Sequence, residues 1–166
     1  MSTPIKLRAE DGEDLTVISA CLQDAILPVG EMCYEPAAQR FVAVFNRFRW
    51  ESADGGSRRG EGRGAGRGGL QADDDHLFPF ERVQCGVRFD GVVAVKVRGL
   101  NLKDRSQILE LLSLGPTEAG VVLTFAGGGA LRLDGANWRC VVEDLGEPWP
   151  TSSRPCHGLE DEASAA

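Results

Sequence analysis

Apolar and polar residues alternate with period two between Arg82 and Arg98. Val83, Cys85, Val87 and Phe89 are separated by Gln84, Gly86 and Arg88, and Val93, Val95 and Val97 alternate with Ala94, Lys96 and Arg98. Successive side chains of a strand point to opposite faces, so each arm has one apolar and one wetter face. Asp90-Gly91 lies between them and supplies the positive φ angles of a two-residue turn, so the pattern predicts an antiparallel hairpin.

The same reading extends along the chain. Ile5–Ala9 is predicted as a short strand. Asp11-Gly12-Glu13-Asp14 opens a helix, with acidic residues at its positive end. Leu15, Ile18, Cys21, Leu22 and Ala25 follow at helical spacing and predict one amphipathic helix laid on a sheet, stopped before Pro28. Strands are predicted over 29–34, 41–50, 108–114, 121–126 and 130–133, with Gly127-Gly128-Gly129 turning between the last two. In the 41–50 strand Arg47 and Arg49 are expected to face solvent, opposite Phe48 and Trp50. Residues 137–146 fit two patterns. Trp138, Val141, Val142 and Leu145 suit a short helix capped by Asn137 and closed by Gly146, whereas Trp138, Cys140 and Val142 suit a strand; the helix is preferred.

The predicted class is α+β. It is mostly antiparallel, with about seven or eight strands in a bent sheet or partly open barrel, an N-terminal helix and a short C-terminal helix. One domain is expected over 4–149. It carries an insertion at 52–75, where Arg and Gly replace apolar residues and nothing offsets the entropy of ordering. A C-terminal arm and disordered tail follow over 150–166.

The 166 residues carry a net charge of −7, which works against general affinity for nucleic acid or anionic lipid. No signal-peptide pattern opens the chain, and the longest uncharged run, Ala119–Leu131, is thirteen residues with four glycines, too short to span a bilayer. Five cysteines without a close pair suggest reduced thiols and a cytoplasmic setting.

Little of the sequence reads as chemistry. The Arg-Gly stretch 57–69 could contact RNA phosphates, but no aromatic is interleaved, and four Arg meet five acidic residues over 52–75. Cys156-His157 lacks the further ligands of a zinc site and the electropositive pocket of a nucleophile. Gly127–Gly129 lacks the Lys-Ser/Thr of a phosphate loop. No catalytic residue, cofactor site or metal site is assigned. Asn46, Arg47, Trp50, Trp149, Arg154 and His157 remain as interaction candidates.

Several segments are familiar together: Leu22-Gln23-Asp24-Ala25, Phe45-Asn46-Arg47-Phe48-Arg49-Trp50-Glu51, Val141–Trp149 and Ser153-Arg154-Pro155-Cys156-His157. On these, the chain over 4–157, apart from the loop after Glu51, resembles a family of small, mostly alphaproteobacterial proteins catalogued as a domain of unknown function. The resemblance implies a bacterial cytosolic setting and brings no activity or site residue. The leading expectation is therefore a non-enzymatic binding or adaptor module with a protein partner. The alternatives are a small-molecule binder or enzyme with a polar pocket on the sheet, and weak RNA binding through the Arg-Gly loop.

Overall fold

The computed structural model describes residues 3–53, 80–152 and 155. The expected insertion beyond Ala53, the tail beyond Pro155, and Arg154 and His157 lie outside the described residues. The elements are β1 (Lys6–Ala9), α1 (Gly12–Cys21), β2 (Ile26–Pro28), β3 (Met32–Glu35), β4 (Arg40–Phe48), the single turn α2 (Trp50–Ala53), β5 (Phe80–Asp90), β6 (Ala94–Arg98), β7 (Ile108–Pro116), β8 (Gly120–Phe125), β9 (Ala130–Asp134) and β10 (Arg139–Thr151).

All pairings are antiparallel. The strands form one path, β1-β10-β5-β4-β2-β7-β8-β9-β6, with β3 beside β4, and the two ends do not meet, so the sheet is not closed into a barrel. Asp11 caps α1 by accepting the Asp14 amide at 2.9 Å. The buried stripe Leu15, Ile18 and Leu22 turns inward, and Ser19 Oγ accepts the Leu114 amide at 3.0 Å, fixing the helix on β7. Phe45, Cys85, Val87, Phe89 and Val142 from one half of the sheet meet Leu111, Leu123, Phe125 and Leu133 from the other in a single cluster. Burying such a Leu or Phe contributes about 1.5–3 kcal/mol over leaving it exposed, and truncating Phe45 to Ala would cost about 3–5 kcal/mol.

Five expectations are corrected. The arms around Asp90-Gly91 are strands, but they do not pair with each other: β5 pairs with β4 and β10, and β6 with β9. Gly91, at φ +80°, passes the chain from one half of the sheet to the other. Alternation fixes which face a side chain takes, and both arms had a better partner elsewhere. Residues 139–151 form β10 rather than a helix, because Cys140 and Val142 point into the core between β1 and β5. The strand predicted over 29–34 is instead β3 alone, reached from β2 through a 3-10 turn at Val29–Glu31. With β10 and β2 added, the sheet has ten strands among the described residues rather than seven or eight. Finally, Arg47 and Arg49 are buried. Phe41, Ala43, Phe45 and Arg47 share the core side, and the alternation breaks at Phe48, which is buried as well.

Candidate functional site

Because β4 buries its odd-numbered residues up to Arg47, Val42, Val44 and Asn46 face outward. Register carries this face across the sheet. Val42 lies between Cys33 of β3 and Arg88 of β5, Val44 opposite Gly86, and Asn46 opposite Gln84. Beyond β5, Arg88, Gly86 and Gln84 face Val141, Glu143 and Leu145 of β10. At Gly86 the face has no side chain, and a Cβ there would stand 3.3 Å from Leu145 Cδ1. The result is a groove of about 440 Å³ with Val42, Val44, Gly86, Val141 and Leu145 as its apolar lining.

Charged residues stand around this lining: Glu31, Arg88, Arg105 and Glu143. Arg88 Nε donates to Asp90 at 2.9 Å, and Arg105 Nη2 donates to the Gly30 carbonyl at 3.0 Å. Such a surface suits an apolar segment held between polar contacts. Among the described residues no set of three or more His, Cys, Asp and Glu side chains could hold a metal ion.

Of the described interaction candidates, Asn46, Trp50 and Trp149 adjoin one pair of residues, Arg82 and Phe48, whereas Arg47 turns to the core side of β4. Asn46 lies on the outer face of β4, and its carbonyl accepts Arg82 Nη1 at 3.3 Å. Trp50 opens α2, donates its indole N–H to the Gln23 carbonyl at 3.3 Å, and meets Phe48 edge-on at 4.6 Å. Trp149 is 37% exposed on β10 opposite Arg82, past the irregularity after Leu145.

Arg47 belongs to a buried ionic cluster. Its Nε and Nη2 donate to the two oxygens of Asp144, both at 2.7 Å, while Nη2 and Nη1 reach Glu51 at 2.7 and 3.1 Å. The Arg47 side chain is 1% exposed and that of Asp144 3%. Asp144 also accepts the Ile5 amide at 3.0 Å, and Arg49 pairs with Glu81 and Glu51. Burial pushes the Asp144 carboxyl upward, but the Arg47 and Ile5 hydrogen bonds outweigh it and hold it below the usual carboxylate range. Glu51 is lowered in the same way by Arg47 against the effect of burial. Arg47, despite its own burial, is raised by Asp144 and Glu51. Each charge is answered by a partner, as buried ions must be. The cluster ties Ile5, β4, α2, β5 and β10 together and leaves no poised base.

The thiols near it are equally quiet. Burial pushes Cys85 and Cys140 up to about 12, and raises Cys21. A protonated, enclosed thiol is a poor nucleophile.

Sequence reasoning missed the groove. Its signal was Gly86 itself, a glycine inside a strand, which marks a bulge or a close approach by something else. Asp144 as the mate of Arg47 had no local signal.

The fold and groove define an antiparallel β protein with a packed helix and an open apolar depression on one sheet face. The chain belongs to the family described as Protein of unknown function (DUF2948), whose model matches residues 5–157. No curated protein and no solved structure matches it. Among the described residues no helix is long and apolar enough to cross a membrane.

Proposed function

We propose that this domain is a non-enzymatic binding module that receives a segment of a partner protein in the groove over β4, β5 and β10. The carrying observation is the hollow at Gly86, where an otherwise continuous sheet face lacks a side chain and Val44 and Leu145 are left to be covered. The arginines elsewhere support this reading, because Arg47 and Arg49 are spent on internal carboxylates.

Gly86→Val tests it. A β-branched residue suits the strand and fills the hollow, displacing only the half-exposed Leu145 side chain. Tagged wild-type and variant proteins are used to capture partners from the source cells, with thermal unfolding measured alongside. The expected result is a stoichiometric partner retained by wild type and lost by an equally stable variant. Equal retention by both proteins, or no partner with either, overturns the reading.

A further inference from the structure

We propose that β3 is the docking edge of the groove. An extended partner segment pairs with its open side as an added strand, sends alternate apolar side chains into two cavities on opposite faces of the sheet, and sets an acidic side chain against Arg105. This deepens the groove reading above and rests on it.

Among the described residues β3 pairs with β4 alone. Its neighbour on that edge of β4, β2, is covered by β7, but the 3-10 turn after Pro28 carries the chain away before β3 begins, so among the described residues no strand follows β3 on its far side. An open edge is a template for strand addition unless it is blunted. The other two sheet edges carry such protection: β1 has Lys6 and Arg8, and β6 has Lys96 and Arg98. Met32-Cys33-Tyr34-Glu35 has no Lys, Arg or Pro.

A second cavity gives the edge its selectivity. It measures about 160 Å³ and opens between the two halves of the sheet, with Val29, Tyr34, Phe41, Val95, Leu102 and Leu131 in its walls. It shares Met32, Cys33 and Arg105 with the groove, so the two cavities meet at β3. Along β3 the side chains alternate: Cys33 and Glu35 are exposed, whereas Met32 and Tyr34 turn inward, with Tyr34 Oη donating to the Val92 carbonyl at 3.0 Å. A strand added beside β3 follows the same pleat, so its successive side chains enter the groove and the inner cavity in turn. Arg105 stands where the cavities join and has no carboxylate partner among the described residues, although one of its nitrogens is held by Gly30. It therefore matches an acidic residue on the incoming strand.

The experiment pans a phage-displayed random peptide library against the full chain and measures the selected peptides by fluorescence anisotropy. Each peptide is also made in two forms, with alternate backbone amides N-methylated in one set or the other. Strand addition predicts that one methylated set weakens binding at least tenfold while the other binds as before. It also predicts that Gly86→Val and Leu102→Asp, in the two cavities, each weaken binding, and that the selected peptides alternate apolar residues around an acidic one. Peptides that depend on Gly86→Val but tolerate both methylated sets would overturn strand addition and leave the groove reading standing. Peptides indifferent to Gly86→Val, or a library with no binder, would overturn both. Circular dichroism of the two variants separates lost binding from lost folding.

Discussion

Arg47 and Asp144, 97 positions apart, are joined edge to edge by two hydrogen bonds of 2.7 Å, with both side chains almost wholly enclosed. The pair closes β4 onto β10 across β5, and Asp144 holds Ile5 ahead of β1 through amide bonds in both directions. It makes the first and last parts of the described chain depend on one guanidinium.

Removing one member leaves the other charged and buried. Arg47→Met is expected to cost about 3–5 kcal/mol in urea unfolding, the usual cost of an orphaned buried ion. Arg47→Met combined with Asp144→Leu should recover a substantial part of that, since an apolar pair has no charge to strand. A double variant as unstable as the sum of the singles would mean that the pair does not act as a unit.

The same carboxylates set the acid limit. Asp144 and Glu51 are lowered in the folded protein, and unfolding returns them to about 3.9 and 4.3. Below those values the unfolded chain binds protons that the folded one does not yet accept. Their stabilisation is thus complete above the unfolded values and is lost as pH falls through the lower, folded ones. The urea midpoint should hold steady near neutral pH and drop below about pH 4. Asp144→Asn should flatten that drop, and an unchanged slope would assign the acid sensitivity elsewhere.

How far the sequence foretold this structure depends on how local each cause is. The cap at Asp11 and the stripe of Leu15, Ile18 and Leu22 lie within one helix, and α1 forms where they place it. The strands β8 and β9 follow their own alternation and a Gly127-Gly128 turn at φ +88° and +91°, and β7 does so up to the irregularity between Leu111 and Ser113. Partnership was harder to see. Nothing in Val83–Phe89 says that it pairs with β10 rather than with Val93–Val97. For residues 139–146, helical and strand spacing coincide over Trp138 and Val142, and only burial between β1 and β5 decides. The groove had one visible trace, Gly86, while its walls come from segments brought together by register.

Gly91 offers a direct test of the handover between the two halves of the sheet. A Cβ there would stand 2.6 Å from the Asn137 carbonyl oxygen, on a backbone already at φ +80°. Left-handed backbone alone costs an L-residue about 1–2 kcal/mol, and the collision adds to it. Gly91→Ala should therefore lower stability by more than Gly115→Ala, where a Cβ meets nothing within 4 Å. Equal unfolding midpoints would contradict the turn geometry.

Cysteine accessibility connects stability to binding. Cys33 is exposed on β3 where groove and inner cavity meet, whereas Cys85 and Cys140 are enclosed and their thiols are pushed up to about 12. Reaction with a maleimide requires an accessible thiolate, so labelling followed by peptide mass mapping should modify Cys33 well before Cys85 or Cys140. The adduct at Cys33 then occupies the edge that a partner strand would use. Protein modified there should keep its thermal midpoint and lose its partner, and Cys33→Ser should bind normally while resisting the reagent. Retained binding by protein fully modified at Cys33 would move the contact away from β3.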